Sequence, residues 1–115
     1  MLALAHVGDA VYELLVRTYF CGAGTATSQK MHQRTVSMVS AHAQAAAVKK
    51  ILPLLTEAES AVFMRGRNAQ TPMAPRTVPL AEYHAATGLE ALFGHLYLTG
   101  DLGRIETLFA AILEA

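Results

Sequence analysis

The sequence predicts an all-α protein. Alanine, leucine, glutamate and glutamine are abundant, and these are strong helix formers. Apolar residues recur three and four apart along most of the chain, and few segments alternate with the period of two that a half-buried strand requires. A chain of 115 residues suits one domain, 1–115, and leaves no room for two.

The elements follow from start and stop signals. A first helix runs from about residue 2 to 21 and stops at Gly22-Ala-Gly24. A second helical region runs from about Ser28 to Ile51 and ends before Pro53, with a break expected around Val36–Ser40, where β-branched residues and serines cluster. Thr56-Glu57-Ala58-Glu59 reads as a capping box, in which threonine hydroxyl and glutamate carboxylate each bond the other's backbone N–H. It opens a short helix to about Arg65 or Arg67. Asn68 to Pro79 carries Pro72, Pro75 and Pro79, a density that forbids regular helix and predicts a loop. A long helix follows from about Leu80 to Leu98. Gly100 stops it, and Asp101 caps a last helix to about Leu113.

Composition excludes several classes. Nine basic and nine acidic residues cancel, so a polyanion partner has to be met by a local patch. Hydrophobic residues make up 53% of the chain and charged residues 16%, which points to surface hidden in an oligomer. The single cysteine, Cys21, forbids an intrachain disulfide and fits a reducing compartment. Charges or histidines interrupt every apolar run before the ~18–20 residues needed to span a bilayer. No basic segment precedes a small-residue cleavage site, so no secretory signal is expected.

Two acids stand out. On a helix, residues three or four apart share a face, and around Asp9 that face holds Leu2, Ala5, His6, Tyr12, Glu13, Val16 and Phe20. Around Glu90 the same construction gives Tyr83, Ala86, Thr87, Phe93, Gly94 and Tyr97. Both carboxylates thus lie in mostly apolar stripes, where an unpaired charge is costly and takes a cation or a proton. Two such acids on two long helices can meet and share Mg²⁺, which binds one or two carboxylates, keeps several waters and accepts phosphate oxygens. An ion pair with arginine, or a backbone cap, is the structural alternative. Glu13 pairs with Arg17 one turn on, and Glu57, Glu59, Glu82, Asp101, Glu106 and Glu114 read as caps or solvated surface.

The basic residues cluster unevenly. Arg65-Gly66-Arg67-Asn68 ends one helix, and the proline loop adds Arg76. Such guanidiniums can fork onto phosphate oxygens, or simply favour the negative end of a helix dipole. Lys30, His32 and Arg34 extend that candidate surface, while Lys49-Lys50 reads as dipole and solubility. The five histidines have no zinc spacing, Cys21 and the serines no nucleophile context, and the five methionines read as core filler.

Several segments, in order, resemble a known family. L-A-H-V-G-D-A-V-Y-E at 4–13 and Y-H-A-A-T-G-L-E-A-L-F-G-H-L-Y-L at 83–98 are similar to the two signatures of the ribonuclease III catalytic domain. With H-Q-R-T-V-S-M-V-S-A-H-A-Q-A at 32–45, L-T-E-A-E at 55–59 and R-G-R-N-A at 65–69, the pattern resembles the Mini-ribonuclease III branch, which lacks the double-stranded-RNA-binding domain.

The resemblance implies an all-α homodimer whose paired sites cut the two strands of an RNA duplex. It implies Asp9 and Glu90 as catalytic residues and metal ligands, with Mg²⁺ as cofactor and Mn²⁺ as a substitute. The products would carry 5′-phosphate and 3′-hydroxyl ends. The candidate RNA contacts are Arg65, Arg67, Asn68, Arg76 and Lys30. His6 either lines the dimer contact or hydrogen-bonds near Asp9. Ribonuclease III proper has two further acids, at positions occupied here by Ala5 and Thr87; both departures look normal for the Mini branch, and leave one or two metals per site as alternatives. The branch implies maturation of the 23S ribosomal RNA precursor in the cytoplasm of a bacterium, with a plastid form as the alternative setting, and neither DNA nor membrane as partner. A catalytically silent RNA- or ribosome-binding module is the rival function.

Overall fold

The computed structural model describes residues 1–24, 27–69 and 77–114. Six α-helices follow one another: α1 (Leu2–Gly22), α2 (Ser28–Val39), α3 (Ala41–Ile51), α4 (Glu57–Arg67), α5 (Leu80–Leu98) and α6 (Leu102–Leu113), with a 3₁₀ turn at Leu52–Leu54. No strand occurs among the described residues. None of their helices is long and apolar enough to cross a membrane.

The predicted break in the second helical region falls at Ser40. Its backbone is extended (φ −62°, ψ 155°), so α2 ends there and α3 begins. The Ser40 hydroxyl then accepts a hydrogen bond from the Ala43 N–H at 3.2 Å and caps the new helix. The capping box forms in both directions, with Glu59 N–H donating to Thr56 Oγ1 (3.1 Å) and Thr56 N–H to Glu59 Oε1 (2.9 Å). Gly100 takes a positive φ of 78° and turns the chain into α6, whose Arg104 N–H donates to the Asp101 carboxylate at 3.2 Å. The first helix runs through Gly22, one residue past the expected stop.

α5 is the axis of the fold. It packs against α1, α3, α4 and α6. Ala86, Thr87, Gly88, Leu89, Ala91, Leu92, Phe93, Gly94 and Leu96 are all buried, so it is apolar nearly all round, as a helix enclosed by neighbours must be. Tyr12 of α1 sits edge-on to Phe93 (5.4 Å between ring centres) and Phe109 (5.9 Å), joining α1, α5 and α6 in one core. Burial pushes the Tyr12 hydroxyl up to about 12.

Helix α1 approaches α5 through glycine. A Cβ at residue 8 would strike the Glu90 carbonyl, and one at residue 94 would strike the Leu4 carbonyl. The two backbones therefore touch where Gly8 and Gly94 face each other, and only glycine permits it. α4 meets α5 by the same device: a Cβ at Gly88 would lie 2.8 Å from the Phe63 ring.

Two surface readings and one core reading need correction. Glu59 is a cap and also a buried partner of Arg104, whose guanidinium donates to both carboxylate oxygens (2.8 and 2.9 Å) and to the Leu54 carbonyl (2.7 Å). Lys50 is not merely solubilising, because its ammonium donates to the Ile112 (2.9 Å) and Glu114 (2.6 Å) carbonyls at the end of α6. Among the described residues no methionine is fully buried core filler: Met38 packs against the core from its edge, and Met64 is exposed. The core volume is already supplied by leucine, isoleucine and phenylalanine.

Candidate active site

The α1–α5 crossing brings Asp9 and Glu90 together. Gly8 rests on the backbone of Glu90, so the residue beside Gly8 is carried to the glutamate side chain. The two carboxylates lie near enough for the charge and hydrogen bonding of Asp9 to act on Glu90. Their burial is unequal, which corrects the expectation that both lie within apolar stripes: the buried face of α1 is Ala5, Gly8, Tyr12 and Val16, and Asp9 is exposed at its margin. Glu90 is half-buried. Burial first, then the charge of Asp9 and the hydrogen bond with it, push the Glu90 carboxyl up to about 8. The pair is thus biased toward holding a proton.

No basic side chain relieves this pair. Among the described residues the ion pairs are Glu13–Arg17, Glu82–His42 and Glu59–Arg104, and none involves Asp9 or Glu90. The observed relief comes from an amide. Gln44 of α3 is fully buried, and its Nε2 reaches Glu90 Oε2 at 3.4 Å while donating to the Val39 carbonyl at 3.0 Å. Sequence reasoning did not single out Gln44. The signal was a lone amide inside the alanine run A-H-A-Q-A-A-A, where nothing polar is needed for a helix.

Two carboxylates without a counter-ion at an open edge fit a divalent cation, which would take the place of the shared proton. Among the described residues no group of three or more histidines, cysteines and acids gathers to hold a metal. The donor set is therefore lean, and suits an ion that completes its shell with water and phosphate. Ala5 is buried, and the buried Thr87 hydroxyl donates back to the Tyr83 carbonyl (3.0 Å), so neither adds a carboxylate.

The other candidate residues are more dispersed. Arg65, Arg67 and Asn68 are exposed together at the end of α4, with Arg67 Nη1 donating to Asn68 Oδ1 at 3.3 Å. Lys30 is exposed on α2, which packs on α1 and α3, whereas α4 packs on α5. Arg76 lies outside the described residues. His6 is exposed on α1 and lines a groove with Val7, Ala10, Val11, Leu14 and Tyr97. No hydrogen bond joins it to Asp9 among the described residues.

The Ribonuclease III domain family matches residues 2–101, which defines the class as that of endoribonucleases. The chain is 43% identical to Mini-ribonuclease 3 of Symbiobacterium thermophilum over 98% of this chain and 87% of that protein. It is 42% identical to Mini-ribonuclease 3 of a Thermoanaerobacter species, over 93% of this chain and 75% of that protein. A crystal structure of a protein from Fusobacterium nucleatum superimposes with a TM-score of 0.90 at 30% identity, covering 99% of this chain and 93% of that one. The chain belongs to the ribonuclease III family, in its Mini-ribonuclease III branch. Dependence on divalent metal ions is general in that family.

Proposed function

We propose that the chain hydrolyses phosphodiester bonds of double-stranded RNA, with Asp9 and Glu90 as the metal-holding catalytic residues. The observation that carries this is the acid pair itself, two neighbouring carboxylates with no basic partner among the described residues and one of them driven toward protonation by burial. Mg²⁺, with Mn²⁺ as a substitute, would supply Lewis-acid chemistry at a non-bridging phosphate oxygen and a more nucleophilic water. Asp9, exposed, offers its carboxylate from the open side; Glu90 offers its own from the wall of the crossing. The glycine contact between α1 and α5 fixes their separation, so the two residues that would hold the ion are already in place. No side chain serves as nucleophile, and cleavage leaves a 5′-phosphate and a 3′-hydroxyl.

Arg65, Arg67, Asn68, Arg76 and Lys30 hold phosphates of the duplex, which is chosen by A-form shape and 2′-hydroxyls rather than by base edges. The apolar groove with exposed Leu14 and Tyr97 supports a homodimer with His6 at the contact, which would set two sites against the two strands. The substrate is the 23S ribosomal RNA precursor in the cytoplasm of a bacterium, a reading supported by bacterial relatives named Mini-ribonuclease 3. Residues 1–115 act as one endonuclease domain.

The test is cleavage of a long RNA duplex with and without Mg²⁺ by wild type, Asp9→Asn and Glu90→Gln. Mg²⁺-dependent cleavage by wild type, reduced at least ~1,000-fold in both variants, is expected if two ligands of one ion are removed in turn. Undiminished turnover in both sinks the assignment, and a duplex bound but never cut by wild type favours the silent binding module.

A further inference from the structure

Gln44 is a costly residue for its position. It is 2% exposed, and a buried amide loses free energy unless all its polar atoms find partners. Its Oε1 is buried with no partner among the described residues. A leucine or methionine of similar volume would fill the same space without the orphan.

The Nε2 side explains the choice. In an unbroken helix the Val39 carbonyl would accept the Ala43 N–H. At the α2–α3 corner that N–H is taken by the Ser40 hydroxyl, and the Val39 carbonyl is left without a helical donor. Gln44 Nε2 supplies one at 3.0 Å. The second hydrogen of the same NH₂ group is directed to Glu90 Oε2 at 3.4 Å. The Val39 carbonyl is only ever an acceptor, so the amide cannot turn over without setting oxygen against oxygen there. The corner thus locks the amide, and the amide holds one oxygen of Glu90. Among the described residues it is the one side-chain N–H bonded to that carboxylate.

We infer that Gln44 is a positioning residue: anchored on the Val39 carbonyl, it ties Glu90 Oε2 so that the carboxylate is held in place beside Asp9 for a divalent cation. This rests on the reading of Asp9 and Glu90 as metal ligands. Partners that orient a metal ligand from behind set affinity nearly as strongly as the ligand does, commonly by ~10–100-fold.

The experiment measures Mn²⁺ binding by calorimetry on the full chain, for wild type, Gln44→Leu, Gln44→Met and Glu90→Gln, alongside metal-free melting curves and duplex cleavage across Mg²⁺ concentrations. Gln44→Leu and Gln44→Met are expected to melt cooperatively within a few degrees of wild type, to bind Mn²⁺ ~10-fold more weakly or worse, and to regain most of their turnover at saturating Mg²⁺. Unchanged Mn²⁺ affinity in either folded variant, while Glu90→Gln abolishes binding, overturns the role of Gln44 alone. Loss of cooperative melting in both also overturns it, because the amide is then needed for packing. Mn²⁺ binding that survives Glu90→Gln overturns the metal-ligand reading together with the inference.

Discussion

Glu59 and Glu90 are both glutamates withdrawn from solvent on helices that pack together, and their surroundings are opposite. Glu59 caps its own helix, accepts both prongs of Arg104 and is held below the usual carboxylate range, chiefly by that guanidinium. Glu90 has no cationic partner among the described residues, faces a second carboxylate and is pushed up to about 8, chiefly by burial. One acid is satisfied by the fold. The other is left in want of a positive charge that the described residues do not supply. A fold that can place an arginine on Glu59 could have placed one near Glu90, so the difference teaches where stability was forgone for function.

The most severe way to break the unsatisfied side is Gly8→Ala. Its new methyl meets the Glu90 carbonyl, which belongs to a buried helix and cannot yield cheaply. A loss of about 3 kcal/mol is expected in urea unfolding, at the upper end for overpacking. Cleavage by the folded fraction should fall further, ~100-fold, because α1 and α5 must separate and carry the acids with them. Gly22→Ala on the same helix meets nothing within 4 Å and serves as the control, with stability unchanged or slightly raised. Equal effects of the two substitutions would refute the role of the crossing.

Breaking the satisfied side should damage stability without touching chemistry. Arg104→Met leaves Glu59 buried, unpaired and capped only by its own helix. A cost of about 2–3 kcal/mol is expected, held below the usual figure for a fully buried pair because Arg104 retains some exposure. Turnover of the folded protein should match wild type. Because the folded pKa of Glu59 is depressed, its contribution is present above the ordinary value of 4.5 and is lost as pH falls through the folded value. Acid sensitivity of wild type should therefore diminish in this variant.

Glu90 predicts the reverse slope. Its folded pKa of about 8 lies above the ordinary 4.5, so the folded state holds the proton more tightly. The associated stability is complete below about pH 4.5, declines as pH rises toward 8, and is gone above that. Metal-free wild type should lose stability across this window, by an amount on the order of 1–2 kcal/mol given partial solvent access. Glu90→Gln should not, and should melt above wild type at pH 9. Millimolar Mg²⁺ should restore wild type at that pH and leave the variant unmoved. Parallel melting profiles for the two proteins from pH 5 to 9 would show that Glu90 carries no strain.

Much of this contrast is legible in the sequence, and unevenly so. The capping box at Thr56–Glu59, the Asp101 cap and the Gly100 stop are local chemistry within four residues, and the structure forms each of them. The break at Ser40 is legible for the same reason. Asp9 and Glu90 are legible as misplaced acids, because each violates what a packing helix needs. What periodicity could not give is depth: it set Asp9 in the middle of an apolar stripe, whereas the helix is rotated to bury Gly8 and expose its neighbour. Arg104 is 45 positions from Glu59, and Gln44 is 46 from Glu90. No local rule joins residues so far apart, so the satisfied pair read as a mere cap and the amide behind Glu90 went unnoticed.

The smallest test trims the satisfied side by one hydrogen bond. Thr56→Ala removes the hydroxyl that accepts the Glu59 N–H at 3.1 Å, but leaves the Thr56-position N–H free to donate to Glu59 Oε1 at 2.9 Å and both contacts with Arg104 intact. A loss of about 1 kcal/mol is expected, seen as a drop of roughly 4 °C in Tm. Cleavage should be unaltered, since the cap lies at the far end of α4 from Arg65 and Arg67. The acid-side titration should also persist, because the guanidinium is the principal cause of the lowered Glu59 pKa and the hydroxyl a lesser one. Loss of that titration in Thr56→Ala would mean that the cap, rather than Arg104, is what settles Glu59. The contrast with Glu90 would then be one of local geometry instead of charge.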